Sequence, residues 1–188
     1  DVITQLQSAI PTDWRATLKA VDGSCVKDVY GQLTTLPRDA THLVLSIGGN
    51  NALGHISVLD ARVSAASQVF RQLAHISGEF EQQYQPLLQK ILSLGLPTAV
   101  CTIYNPNFPE DVYQKMATTA LTIFNDVILR QAFQSGLPLI DLRLTCNHAD
   151  DYANPIEPSS MGGEKIVNAI MQVVTHHDFQ TAQTQIFY

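Results

Sequence analysis

One stretch of the chain reads Thr41-His-Leu-Val-Leu-Ser-Ile-Gly-Gly-Asn-Asn51. Its first part, residues 41–47, is a short run rich in Leu, Val and Ile, which is typical of a strand buried on both faces of a sheet. Its second part contains two glycines and two asparagines, which favour a tight turn. We therefore predict a buried strand over residues 41–47 that ends in a turn at residues 48–51.

Helical and strand patterns alternate on both sides of this predicted strand. Helices are predicted over residues 2–10, 26–33, 61–94, 110–134 and 162–174, and further strands over residues 14–21, 98–103 and 137–142. The Ser77-Gly78 pair is a candidate break in the longest helix. This alternation predicts an α/β fold, a flavodoxin-like doubly wound parallel sheet with helices on both faces.

The length of 188 residues fits one domain, which we place at residues 1–175 with a C-terminal tail at 176–188. No internal repeat or linker divides the chain. The sequence opens directly on a helical pattern, whereas each helix of a doubly wound sheet is fed by a strand. We therefore expect the first strand of the fold to be missing.

Composition excludes several classes of partner. Seventeen acidic side chains against eleven Lys and Arg give a net charge of −6, and no basic stripe of the kind that binds nucleic acid is present. No apolar run approaches the ~20 residues that a membrane span needs. We expect neither nucleic acid nor a membrane span.

Cysteine usage bears on redox chemistry and on location. Cys25, Cys101 and Cys146 are odd in number and widely spaced, so they match neither a disulfide framework nor a zinc pattern. Reduced thiols and the lack of a signal-peptide pattern indicate a cytoplasmic protein. We assign no metal and no cofactor.

Three loops at predicted strand ends carry the candidate functional residues. The first is Gly48-Gly49-Asn50-Asn51, where an Asn amide can donate to an oxyanion, although an ordinary strand-to-helix turn has the same composition. The second contains Gly23, whose N–H can face the same crevice or belong to a simple turn. The third runs through Asn154-Pro-Ile-Glu-Pro-Ser159 before the last helix.

Together these loops resemble the SGNH or GDSL-type hydrolases, a family of esterases and lipases. Gly23 resembles the family's second sequence block, Gly48 to Asn51 the third, and the segment from Asn154 to Ser159, followed by Gly162, the last. The resemblance implies an oxyanion hole made by Gly23 and Asn50, and a small acyl ester or acylated sugar as substrate. The family's first block, which carries its Ser nucleophile, has no counterpart in these residues.

The last block departs from the family pattern at both catalytic slots. Asn154 stands where the family has Asp, and Glu157 stands where it has His. A carboxylate with an ordinary pKa of about 4.3 is a weaker base at neutral pH than a histidine near 6.5. His148 in the same loop is an alternative base, and His55 also follows the asparagine loop closely. The pair at His176 and His177 is interpreted as an exposed part of the tail.

Three functional hypotheses remain from the sequence. The first is an ester hydrolase whose Ser comes from the absent block, with Glu157 or His148 as the base. The second is a catalytically degenerate binding domain or an inactive fragment. The third, a flavodoxin-like domain with a phosphate or flavin site, is disfavoured because no P-loop pattern is present. Residues 1–188 alone are predicted to be inactive as an esterase.

Overall fold

Four short parallel strands form the central sheet of the structure, a computed structural model that describes residues 1–188. They are β1 (Leu43–Leu45), β2 (Thr98–Cys101), β3 (Leu139–Ile140) and β6 (Ile186–Phe187). Two further strands, β4 (Tyr152–Asn154) and β5 (Glu157–Pro158), form a separate antiparallel hairpin. The sheet order is β1-β2-β3-β6, with Leu43 opposite Thr98, Val100 opposite Leu139 and Ile140 opposite Phe187.

Seven α-helices surround this sheet. They are α1 (Val2–Ala9), α2 (Val29–Leu33), α3 (Gly49–Leu53), α4 (Ala66–Leu92), α5 (Asp111–Ser135), α6 (Leu142–Thr145) and α7 (Ser160–His176). Short 3-10 turns cover Val26–Asp28, Ile56–Asp60 and Ala149–Asp151. None of the helices is long and apolar enough to cross a membrane.

The core is divided into two layers by the sheet, because successive side chains of a strand point to opposite faces. Val100 and Leu139 pack into the layer that contains the buried faces of α4 and α5. Ala99, Cys101 and Ile140 pack into the other layer, beneath α7. Helix α1 lies against α7 on that same side. The predicted α/β sheet with helices on both faces is therefore confirmed.

Local sequence signals fix the ends of the two helices nearest the site. The Glu110 carboxylate caps α5 by accepting from the N–H groups of Val112 and Tyr113, at 3.0 and 2.5 Å. The same helix ends at Gly136 in the left-handed conformation, with φ +63°. The Ser159 hydroxyl caps α7 through the N–H groups of Met161 and Gly162.

Residues 14–21, predicted as a strand, are not a strand in the structure. A strand exists only where a neighbour accepts and donates backbone hydrogen bonds, and no sheet element lies beside this segment. The apolar residues that motivated the prediction are still present, and most of their side chains remain exposed, including Trp14, Leu18 and Val21.

The C-terminal residues 176–188 showed no periodic pattern, yet they contain β6. Two residues are too few to display an alternation, and the pairing of β6 with β3 comes from the tertiary arrangement. The buried Phe187 side chain packs into the layer beneath α7. Residues 176–188 therefore add the edge strand of the sheet.

Helix α4 differs from its prediction in where it starts and in being continuous. It begins at Ala66 rather than near residue 61, and it continues without a break through Ser77 and Gly78. The residues before it form the 3-10 turn Ile56–Asp60. The amphipathic face of α4 is long enough to keep the helix intact across one glycine, whose cost is only about 1 kcal/mol.

Candidate functional site

A deep groove of about 1270 Å³ opens beside β1 and reaches the carboxyl end of the sheet. One wall is the extended segment 13–24, and the other is β1 with the glycine-asparagine turn that follows it. Helix α1 contributes its apolar side chains Val2, Ile3 and Leu6 to the groove. The groove therefore brings residues of all three candidate loops to one place, the third through Ile156 and Pro158.

The Asn50 side chain joins those two loops. Its Nδ2 amide donates to the backbone carbonyl of Ser24 at 3.1 Å, across 26 positions of sequence. The neighbouring Asn51 makes a second link, since its Oδ1 accepts from the N–H of Val26 at 3.1 Å. A primary amide carries two N–H donors, so Asn50 is oriented by one hydrogen and keeps the other for a ligand.

Gly23 lies at the same rim with its backbone in the left-handed region, at φ +76°. Its N–H donates to the Asp22 carboxylate at 2.8 Å. A backbone amide has a single hydrogen, so Gly23 can serve an oxyanion only by exchanging that hydrogen bond. The structure thus places both predicted oxyanion donors at one rim, Asn50 with a spare hydrogen and Gly23 without one.

Gly48 lets the turn after β1 pass close to the core. Its φ is +123°, and a Cβ there would lie 3.0 Å from both Ile103 Cδ1 and Phe80 Cζ. An L side chain would be strained by this backbone conformation and crowded by these neighbours. The glycine therefore sets the position of Asn50 at the start of α3.

The opposite side of the rim is built from Tyr104 and the β4–β5 hairpin. The Tyr104 hydroxyl donates to the carbonyl of Ile156 at 2.8 Å, and Tyr104, Ile156 and Pro158 all line the groove. Burial raises the pKa of Tyr104 to about 12, and the negative charges of Cys146 and Glu157 add to the effect. Tyr104 is therefore a neutral hydrogen-bonding group over the physiological range of pH.

The loop that carries Tyr104 is held from α5. The buried Asn125 side chain accepts from the N–H of Ile103 at 2.8 Å and donates to its carbonyl at 2.9 Å. Asn125 replaces the strand partner that the backbone loses where β2 ends. Sequence analysis did not find Tyr104 or Asn125, because neither stands in a recognisable motif.

Asn154 and Glu157, the two departures in the last block, lie side by side. Asn154 Nδ2 donates to Glu157 Oε2 at 2.6 Å, and Asn154 Oδ1 accepts from the N–H of Ile156 at 3.0 Å. Both side chains are exposed beside the rim rather than in the groove wall. Asn154 thus orients the Glu157 carboxylate next to the residues that line the groove.

The histidines considered from the sequence are placed apart from one another. His148 is exposed at the 3-10 turn Ala149–Asp151 and does not line the groove. His55 does line it and stacks at a ring-centroid distance of 6.4 Å from Phe124. In the C-terminal segment His177 packs on Phe179 and Phe187.

None of the three thiols is in a disulfide, and the two buried ones, Cys101 and Cys146, are poor nucleophiles. Burial raises the pKa of Cys101 to about 12 and that of Cys146 to about 11. Both thiols are therefore protonated at neutral pH, where the thiolate would be the reactive form. No three His, Cys, Asp or Glu side chains come together as a metal ion would need.

Two buried carboxylates hold the backbone near the site. Asp141 accepts from the hydroxyl of Thr102 at 2.9 Å and pairs with Arg143, which ties the ends of β2 and β3 together. Asp151 pairs with Lys165 and anchors the entrance to α7. The sequence pattern assigned no role to Asp141.

Comparison with known proteins gives similarity of structure at low sequence identity. No family model matches the chain, and no curated protein matches it either. An acetyl xylan esterase, AlAXEase, is 16% identical with a TM-score of 0.61, over 82% of this chain and 78% of that one. The extracellular lipase of Streptomyces rimosus is 16% identical with a TM-score of 0.54, over 78% of this chain and 76% of that one.

A third similar structure is phospholipase A1 from Streptomyces albidoflavus NA297. It is 15% identical with a TM-score of 0.54, over 78% of this chain and 75% of that one. At these identities the three structures establish a shared α/β fold.

Proposed function

We propose that this protein is a carboxylic ester hydrolase of the SGNH type, acting on a small acyl ester or an acylated sugar. Its Ser nucleophile would come from a block outside residues 1–188. The observation that carries the proposal is the rim itself, where Asn50, held by Ser24, faces the same groove as Gly23. The three similar structures, an acetyl xylan esterase, a lipase and a phospholipase, point to the same chemistry.

In this mechanism the Ser oxygen attacks the acyl carbonyl and its proton passes to a base. The carbonyl oxygen becomes an oxyanion that accepts hydrogen bonds from the spare Asn50 hydrogen and from the Gly23 N–H. The intermediate then collapses, the alcohol leaves with the proton, and water hydrolyses the acyl-enzyme in the same way. A pre-oriented donor such as Asn50 stabilises the transition state because it needs no reorganisation during the reaction, whereas the Gly23 N–H must first leave the Asp22 carboxylate.

Glu157 is the base that the arrangement favours over His148. The Glu157 carboxylate is oriented by Asn154 and lies next to Ile156 and Pro158, which line the groove, although the side chains of Glu157 and His148 are both exposed outside the groove wall. Tyr104 lines the groove, and its hydroxyl donates to the carbonyl of Ile156, the residue before Glu157. The assigned roles are therefore Gly23 and Asn50 for the oxyanion, Glu157 for the proton, and Asn154 for positioning Glu157.

The experiment that tests this proposal compares isosteric variants of the polypeptide that carries the nucleophile block. Asn50→Asp removes the amide donor at almost constant volume, and we expect kcat for p-nitrophenyl acetate to fall by about 10²–10³. Asn168→Asp on the exposed side of α7 is the matched control, with no expected change. Equal turnover in both variants would reject the oxyanion assignment. In a separate measurement, residues 1–188 alone should show no hydrolysis of the same ester.

A second function, a non-catalytic binding domain of the same fold, is favoured by two contacts. Asn154 and Glu157 satisfy each other, and the single hydrogen of the Gly23 N–H is taken by Asp22. A fluorophosphonate probe separates the two functions, since only an activated Ser reacts with it. Stoichiometric labelling supports the hydrolase, and the absence of labelling in a folded protein supports the binding domain.

A further inference from the structure

The groove changes in character from one end to the other. The wall of residues 13–24 contributes charged side chains, including Arg15, Lys19 and Asp22. At the carboxyl ends of β1 and β2, in the part that we call the α5 pocket, the lining comes from α3, the 3-10 turn Ile56–Asp60, the loop 103–108 and α5. The ionisable side chains of the α5 pocket are His55 and Tyr104, and no Asp, Glu, Lys or Arg lines it. The α5 pocket is therefore suited to an uncharged, apolar group.

Helix α5 presents an apolar stripe to this pocket. The side chains of α5 that line the groove include Ala117, Ala120, Leu121 and Phe124. Their spacing of i, i+3, i+4 and i+7 places them on one face of the helix. Leu121 and Phe124 are buried and form the floor, whereas the two alanines are only partly buried. Because alanine is small, the stripe leaves space in front of the helix, beside the 3-10 turn that packs on it.

A second wall of the α5 pocket, the loop between β2 and α5, is fixed by hydrogen bonds on both sides. From α5, the Gln114 side chain accepts from the N–H of Phe108 at 2.9 Å and donates to the carbonyl of Pro106 at 2.6 Å. From the hairpin, the carbonyl of Pro155 accepts from the N–H of Asn107 at 2.8 Å. A wall that is already ordered loses little conformational entropy when a ligand binds, so the pocket is preorganised.

The α5 pocket adjoins Asn50. A Cβ at Gly49 would lie 3.9 Å from Ile103 Cγ2, so the residue before Asn50 lies against the start of the loop between β2 and α5. His55 and Ile56, which follow α3 in the chain, also line the groove. A ligand carbonyl that accepts the spare Asn50 hydrogen can therefore extend its apolar chain into the α5 pocket.

We propose that the α5 pocket is the acyl subsite and takes an uncharged aliphatic acyl chain, an inference that rests on the proposed function and names its substrate more closely. The stripe from Ala117 to Phe124 rises about 10 Å along the helix axis, which is about the length of an extended octanoyl chain. Ala120 lies within this stripe and determines how much of the chain fits. A charged acyl group is excluded because it would be desolvated without an ionic partner.

Binding of an unreactive analogue tests the subsite without any hydrolysis. The probe is octanamide, whose neutral carbonyl resembles that of an ester, and butanamide is the short-chain comparison. Isothermal titration calorimetry on residues 1–188 measures both dissociation constants. We expect octanamide to bind about tenfold more tightly than butanamide, or better, because its additional methylenes are buried.

A substitution that fills the pocket tests where the chain lies. Ala120→Phe places a ring in front of the stripe, and we expect it to raise the Kd of octanamide by about tenfold or more. Thr119→Phe puts the same ring on the exposed side of α5 and is the matched control, with no expected change. Ala117→Phe, at a second partly buried position of the stripe, repeats the test in case Ala120→Phe does not fold.

Two outcomes would overturn the proposal. The first is octanamide that binds no more tightly than butanamide. The second is octanamide binding that the folded Ala120→Phe or Ala117→Phe variant leaves at the level of Thr119→Phe, which would place the chain elsewhere in the groove. These results are distinct from failure of the proposed function, which would show as lack of ester hydrolysis while octanamide still binds in the α5 pocket.

Discussion

Asp151 is the residue on which the entrance to α7 depends. It is fully buried, and its Oδ2 accepts from the N–H groups of Asn147 and His148 at 2.9 Å each and from Lys165 Nζ at 2.8 Å. Its backbone carbonyl accepts from the N–H of Ser159 at 2.7 Å. A Cβ at Gly162 would lie only 2.2 Å from that carbonyl, so only glycine lets α7 approach this closely.

Because the Asp151 carboxylate is charged, its contribution to the stability of the fold depends on pH. Burial pushes the pKa of the carboxyl up, but the hydrogen bonds from Lys165, His148 and Asn147 outweigh burial and hold the pKa below its usual value. A carboxyl whose pKa is lower in the folded state stabilises the protein above the unfolded value, near ~3.9. That stabilisation is lost as pH falls through the folded pKa.

Asp151→Asn should therefore destabilise the protein in a pH-dependent way. We expect the free energy of unfolding to fall by about 2–3 kcal/mol at pH 7, the range for a hydrogen bond to a charged group. The difference from the parent should start to shrink as pH falls through about 4, where the unfolded parent binds a proton. It should vanish once pH lies below the lowered pKa of the folded carboxyl. Urea unfolding at pH 7 and pH 3 measures both, with the exposed Asp150→Asn as the control. A loss that stayed constant with pH would contradict the role of the charge.

At the scale of elements, α4 forms against two unfavourable residues. Gly78 and Pro86 both lie inside its 27 residues, and the structure carries the helix through both positions. Pro86 is exposed, so the carbonyl of Gln82 that loses its donor also faces water. The buried face of α4, which includes Phe80, Tyr84 and Leu87, supplies the packing that propensity does not.

Replacing these two residues should therefore stabilise α4. We expect Pro86→Ala to raise the free energy of unfolding by about 1–3 kcal/mol and Gly78→Ala by about 0.5–1 kcal/mol. A Cβ at Gly78 meets no atom within 4 Å, so the alanine fits without a clash. Pro109→Ala, in the loop before α5, is the control without expected gain. Lower stability of Pro86→Ala in thermal unfolding would mean that the proline has a favourable role in the fold.

At the scale of the whole molecule, backbone amides differ in their protection from hydrogen exchange. Strands β2 and β3 are paired on both sides and almost fully buried, whereas residues 15–23 have no backbone acceptors for their N–H groups. Amide exchange requires that a hydrogen bond be broken, so groups without one exchange without that barrier.

We therefore expect amides in residues 15–22 of the 188-residue chain to exchange at close to the unprotected rate. Amides of Val100 and Leu139 should exchange only through global unfolding, since both donate within the sheet. Hydrogen exchange followed by mass spectrometry measures the two regions in one sample. Slow exchange across residues 15–22 would show that these N–H groups are already hydrogen-bonded in solution.

Local pattern was sufficient for much of the architecture. The apolar run at 41–47, the helical periods and the capping residues at Ser159 and Gly136 are encoded within a few positions, so the sequence predicts them. The position of Asn50 at the rim also followed, because the loops at the carboxyl ends of parallel strands meet at one edge. Gly23 lies at the same rim although the residues before it are not a strand.

The features that were not predicted depend on contacts between residues distant in sequence. A local sequence pattern holds no information about such contacts. Residues 14–21 have the composition of a strand but no strand beside them, and β6 is too short to be recognised yet finds β3. The hydrogen bond from Asn50 to Ser24, the pairing of Asn154 with Glu157 and the separation of His148 from the groove all arise on folding. The sequence by itself determined the long helices and three of the four strands of the central sheet. Only the tertiary structure decided which backbone edges are paired and which side chains meet, because each of those depends on contacts between distant parts of the chain.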